Sequence, residues 1–211
     1  MDAKTLKAAV MGLTDARAAL WADPITAAMA EFVIDTPRRQ AAFLAQCGHE
    51  TGSFAKLVES LNYSPEGLHA TFPARVSAQQ AADLGRRAHE STVPIDRQVL
   101  IGDLVYGRRM GNDAPGDGFK YRGRGGFGVT GKDNYRACGL ALGLDLLGHP
   151  EILEGLPAAI RAAGWFWQSH GCNGPADSME FTRLTKVING GIIGLEDRTA
   201  RWTVARGALG A

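Results

Sequence analysis

Apolar residues return at helical spacing along most of the chain, and strand-like alternation of apolar and polar positions is scarce. The period predicts helices over about 3 to 11, 24 to 34, 37 to 49, 65 to 71, 77 to 91, 95 to 105, 132 to 141, 157 to 169, 178 to 188 and 195 to 208. Three of them carry start signals, because Asp23–Pro24, Thr36–Pro37 and Ser64–Pro65 each set a short polar side chain before a proline. The polar oxygen accepts from an orphan N–H of the first turn, and proline at the first helical position surrenders a donor that had no partner there.

The segment Gly107 to Gly131, GRRMGNDAPGDGFKYRGRGGFGVTG, interrupts this pattern with nine glycines and one proline. It is too glycine-rich for a helix, and FKYRGRGGFGVT within it predicts a short irregular hairpin. No repeat, low-complexity tail or interdomain linker stands out. The expectation is a mainly α chain, 1–211 as a single domain, with 1–35 as N-terminal helices and 107–131 as an insertion around which the domain is bilobed.

Composition changes this picture little. The 211 residues are 45 % hydrophobic and 21 % charged with a formal net charge of +1, so no global field points to nucleic acid or an anionic membrane. Cys47, Cys138 and Cys172 are widely spaced without a CxxC pair, which predicts buried free thiols. No run reaches the ~18 apolar residues of a membrane span. Charges at Asp2, Lys4, Lys7, Asp15 and Arg17 leave no apolar core of signal-peptide length, so the expected place of synthesis is a reducing cytoplasm, with export needing help from another protein.

Candidate chemistry concentrates in CGHETGSFAKLVESLNYS, residues 47 to 64, which holds Glu50 and Glu59. On one unbroken helix nine residues would set the carboxylates about 13 Å apart along the axis and on opposite faces. Gly48, Gly52 and Ser53 permit the helix to end and the chain to turn, so the two are free to converge. His49–Glu50 begins a zinc-protease HExxH, yet position 53 is serine, and His49, His69, His89, His149 and His170 are scattered; no metal is predicted. GRGGFG, Gly123 to Gly128, matches a dinucleotide fingerprint in letters alone, since no βαβ unit surrounds it and no acidic residue follows at the required distance. No cofactor is expected.

Two glutamates fit glycosidic hydrolysis, in which a protonated carboxyl serves the leaving oxygen and an ionised one activates water or attacks the sugar. Glu50, beside Cys47, Gly48 and Phe54, has the drier neighbours and reads as the acid. Glu59, followed by Ser60, Asn62, Tyr63 and Ser64, has polar company and reads as the base. The bland alternative is a pair of solvated charges. His49 is read likewise against a hydrogen-bonded helix-end histidine.

The blocks FLAQCGHETGSF, VESLNYSPEGL, FPAR, GDGFKYRGRGGFGVTGKDNY and INGGIIGLEDR occur in that order between about residues 37 and 202. Together they resemble glycoside hydrolase family 19, and the compact bacteriophage endolysins of that family more than its plant chitinases. The resemblance implies a lysozyme-like, bilobed helical fold with a cleft and an inverting mechanism, 107–131 forming a cleft segment. It implies Glu50 as general acid, Glu59 as general base and Thr130 as the hydroxyl that holds the attacking water. His49, Tyr63, Asn134, Tyr135, Asn189 and Arg198 are implied as substrate-binding or near the acid; for the tyrosines core packing is the alternative, and for Arg198 a surface salt bridge. One departure is plain: where the family reads GRGxIQLTG, this chain has Gly128 in place of the glutamine.

The resemblance further implies an endolysin that hydrolyses the β-1,4 bond of peptidoglycan glycan strands between N-acetylmuramic acid and N-acetylglucosamine. It would act as a monomer without stable membrane insertion, held in the host cytoplasm until a holin opens the way to the wall. A chitinase is the nearest alternative, followed by an inactive sugar-binding module and a zinc amidase.

Overall fold

The computed structural model describes residues 1–211. The chain divides into two compact units: 1–57, 124–128 and 151–211 form the first, and 58–123 and 129–150 the second. No helix is long and apolar enough to cross a membrane.

In the first unit α1 (Ala3–Ala9) is capped by Asp2, and α2 (Asp15–Glu31) by Thr14, whose hydroxyl accepts from the Arg17 N–H. Helix α2 therefore starts well before the expected Asp23–Pro24 signal, and Pro24 lies inside it. An interior proline costs about 3 kcal/mol. The stripe Ala18, Trp21, Ala22, Ile25, Ala28 and Met29 is buried on both sides of it, and full burial of each large member contributes about 1.5–3 kcal/mol. Burial outweighs the break.

Helix α3 (Pro37–Glu50) starts where Thr36–Pro37 predicted, with the Thr36 hydroxyl accepting from the Arg39 N–H. Every residue from Ala41 to Gly48 is buried, so α3 is the central helix of this unit.

The second unit begins with α4 (Pro65–Thr71), capped by Ser64 as predicted, then α5 (Ala78–Leu84), α6 (Ile95–Tyr106), α7 (Asp117–Lys120) and α8 (Lys132–Leu142). Ser77 and Gln80 build a capping box for α5, which stops at Leu84 rather than near 91. The cause is Arg97, which is buried, takes the Gly85 carbonyl at 2.7 Å and pairs with Glu90, drawing the chain out of the helix. Leu61, Leu68, Val76, Ala81, Val93, Ile101 and Val105 form the core.

After a 3₁₀ turn at Pro150–Glu154 the first unit resumes with α9 (Ala158–Ser169), α10 (Asn173–Asp177), α11 (Phe181–Asn189) and α12 (Leu195–Leu209). Helix α12 packs on α3 and α1, and α9 on α2. Phe43 of α3 meets Phe127 and Trp167 edge-on. Helices α7 and α10 and the 3₁₀ turn were not predicted. The expected hairpin shrinks to isolated bridge positions at Val58, Arg124 and Val129, because glycines at 123, 125, 126 and 128 deprive a ladder of cross-strand side-chain pairs.

Candidate active site

Glu50 is the last residue of α3, and its surroundings in the first unit differ from those its neighbours suggested. Cys47, Gly48 and Phe54 are buried, whereas the Glu50 side chain keeps 27 % of its surface. The dryness belongs to the residues beside it. Its Oε1 accepts from Arg198 Nη2 at 2.5 Å, and Arg198 is 1 % exposed. The surface salt bridge considered for Arg198 is thereby excluded. The same guanidinium donates Nη1 to Gln46 Oε1 at 2.5 Å and Nε to the Ile193 carbonyl at 3.3 Å.

His49 Nδ1 is 2.6 Å from Asp197 Oδ2, which also accepts from Arg201 Nε at 2.7 Å. Burial alone would raise the Asp197 carboxyl; the bonds and charges of Arg201 and His49 outweigh it and hold the group below the ordinary range. His49 is thus a helix-end histidine anchored to α12, as the bland reading had it. Asn189 ends α11, and its Nδ2 is buried without a hydrogen-bond partner. An unsatisfied buried amide costs about 1–3 kcal/mol, so the Asn189 Nδ2 is a donor group left wholly without a protein partner.

Glu59 lies in the second unit and is bonded at both oxygens. Oε1 accepts from the Tyr106 hydroxyl at 2.6 Å, and Oε2 from the Gly123 N–H at 3.1 Å. The Glu59 N–H returns to the Gly123 carbonyl at 2.8 Å. The polar neighbours read from the sequence are not its partners: Asn62 turns to the Val93 N–H and the Ser91 carbonyl. Burial first, and then the negative charge of Glu59, push the Tyr106 hydroxyl far above the ordinary phenol range, and Tyr63 rises for the same two reasons. Both hydroxyls therefore hold their protons more tightly than a free phenol, and that of Tyr106 is a donor to Glu59.

Position 123 leaves little room for a side chain. An added Cβ would stand 3.3 Å from Thr130 Oγ1 and 3.4 Å from both Cβ and Oε2 of Glu59. Thr130 and Glu59 therefore approach the same small space from two sides. Asn134 is exposed and donates to the Thr130 carbonyl at 2.7 Å, fixing the backbone that carries the hydroxyl.

Tyr135 does not meet its expectation as a sugar contact. It is 0 % exposed, packs edge-on against Tyr121 and donates to the Arg122 carbonyl at 2.7 Å. It braces the backbone next to Gly123. Tyr63 is half-buried, edge-on to Phe72 at 5.6 Å.

Gln46 and Tyr106 were missed, and only Gln46 left a trace in the sequence. It is the single amide in an otherwise apolar or small run, one helical turn before Glu50. No group of three or more His, Cys, Asp or Glu side chains is placed to hold a metal ion.

Each unit thus holds one carboxylate bonded by uncharged or cationic donors, and comparison with known proteins gives the class. The family described as chitinase class I, of glycosyl hydrolase family 19, matches residues 105–194. A Haemophilus influenzae protein described as glycosyl hydrolase family 19 domain-containing is 40 % identical over 163 residues, covering 76 % of this chain and 74 % of that protein. Chitinase C from Streptomyces griseus superposes with a TM-score of 0.61 at 21 % identity, over 100 % of this chain and 76 % of that one. A bacterial family 19 chitinase superposes with a TM-score of 0.55 at 26 % identity, over 90 % of this chain and 86 % of that one. The chain belongs to glycosyl hydrolase family 19, a glycosidase family, and has the mainly helical, lysozyme-type fold of its chitinase-like structural relatives.

Proposed function

We propose that the protein hydrolyses the β-1,4 bond between N-acetylmuramic acid and N-acetylglucosamine in bacterial peptidoglycan, with inversion, in the role of a phage-type endolysin. The observation that carries the chemistry is how each carboxylate is held. Glu50 has Oε1 committed to Arg198, which leaves Oε2 to give a proton to the leaving glycosidic oxygen. Glu59, with a phenol on one oxygen and a backbone N–H on the other, retains a lone pair on each to take a proton from water. Thr130, across Gly123 from Glu59, orients that water. Burial does not distinguish acid from base here; the assignment of the two roles follows the family's order of motifs.

The choice of peptidoglycan rests on the likeness of the five sequence blocks to compact endolysins. In that role the protein gathers in the host cytoplasm and reaches the wall after a holin opens the membrane. The second reading, a chitinase, is favoured by the names of the structural relatives, which are chitinases. Both substrates present N-acetylated pyranoses to Asn189.

Mass spectrometry of digested sacculi, run beside release of reducing ends from chitin oligomers, separates them. New reducing-end muramic acid supports the first reading; turnover of chitin alone supports the second. Glu50→Gln or Glu59→Gln acting as fast as wild type on either substrate would refute the acid–base assignment.

A further inference from the structure

Behind Glu50 lies a row of buried polar side chains that acid–base chemistry alone does not call for. Thr185 and Gln46 are 0 % exposed and Arg198 1 %. Buried polar groups are costly unless their bonds are met, so a row of three in one core points to a purpose that apolar residues would not serve.

Chemistry fixes the direction of the row. A guanidinium has donors and no acceptor, so Gln46 must turn Oε1 towards Arg198, and its Nε2 must then find an acceptor on the other side. The bonds follow that order: Gln46 Nε2 to Thr185 Oγ1 at 2.9 Å, Arg198 Nη1 to Gln46 Oε1 at 2.5 Å, and Arg198 Nη2 to Glu50 Oε1 at 2.5 Å. With Nε on the Ile193 carbonyl, the guanidinium is pinned at three corners, and Glu50 is the one carboxylate it bonds. Gln46 and Glu50 are four residues apart on α3, so a single planar group from α12 bridges both.

We propose that Gln46, locked by Thr185, is a positioning residue that aims Arg198 at Oε1 of Glu50 and so leaves Oε2 as the oxygen that transfers the proton. The neutrality of the amide matters. A carboxylate at position 46 would compete with Glu50 for the same buried cation, whereas the amide holds the cation without sharing its charge. The proposal rests on Glu50 as the general acid.

The test compares wild type, Gln46→Glu, Thr185→Val and Thr185→Ser on sacculi and on a soluble chitin oligomer, with pH–rate profiles and thermal unfolding, and Glu50→Gln as reference. An acid must keep its proton, so activity falls as pH rises along the alkaline limb. In Gln46→Glu the added negative charge lets Glu50 keep its proton longer, and that limb moves up by about 1 pH unit. Thr185→Val frees the amide and lowers kcat about tenfold with KM little changed; Thr185→Ser, which keeps the hydroxyl, restores it. Should Gln46→Glu not fold, the Thr185 pair decides.

Alkaline limbs that superimpose on wild type, or a loss of melting temperature with kcat unchanged, would overturn the positioning role. A Glu50→Gln enzyme with wild-type turnover would instead overturn the acid assignment beneath it.

Discussion

Tyr106→Phe removes one oxygen and keeps the ring that packs edge-on near Phe72. The lost contact is the 2.6 Å bond from the phenol to Glu59 Oε1. A hydrogen bond to a charged group is worth about 1.5–3 kcal/mol, and the partial exposure of Glu59 allows water to replace some of it, which favours the lower end. One pH unit corresponds to about 1.36 kcal/mol, so the loss converts to roughly one unit. The sign follows from the role proposed for Glu59. A general base must be ionised, and a carboxylate deprived of a donor takes up its proton at higher pH. The acidic limb of kcat/KM against pH therefore moves up by about 1 unit, and activity returns towards wild type well above it. Tyr106 does not itself titrate in this range, because burial and the Glu59 charge keep its proton on. An acidic limb that stays in place while the rate drops equally at every pH would refute the reasoning and reduce Tyr106 to a packing residue.

Restoring the family glutamine with Gly128→Gln tests the departure at that position. No atom lies within 4 Å of the added Cβ, but φ is +67°, so a strain of about 1–2 kcal/mol appears as a lower melting temperature. KM for the glycan falls roughly threefold if the new amide makes one further bond. Asp177 receives Arg39 at both oxygens, at 2.9 and 2.7 Å, and this bond, working against burial and aided by the charge of Arg39, holds its carboxyl below the ordinary range. Its contribution is present at neutral pH and lost as acid is added through the folded value. Asp177→Asn should then lower the melting temperature by about 2–4 °C near neutrality, discounted for a carboxylate 43 % exposed, and make no difference in strong acid. All three cysteines are free and buried, with burial pushing Cys172 up to about 12 and Cys47 well above its usual value. Ellman's reagent should label none in the native protein and all three in urea.

Local signals served well where the physics is local. Thr36–Pro37 and Ser64–Pro65 start helices because a cap and a proline act within one turn. Asp23–Pro24 carries the same letters and does not, because a buried stripe running through Pro24 outweighs a preference of a few kcal/mol. The hairpin failed for a related reason: turn chemistry was present, but the side chains that hold two strands together were not.

The sequence alone determined the helical class and the order of the blocks, since these depend on residue type and spacing; the two glutamates were singled out by the resemblance those blocks carry. Only the tertiary structure decided what each carboxylate touches. Nothing near Glu50 in the chain foretells that a residue 148 positions away donates to it, or that Tyr106, 47 positions beyond Glu59, does the same there. Periodicity reports which face of an element is buried. Which donors lie on the neighbouring elements is set by how those faces pack, and that is where Tyr135 became a brace and Gln46 a clamp.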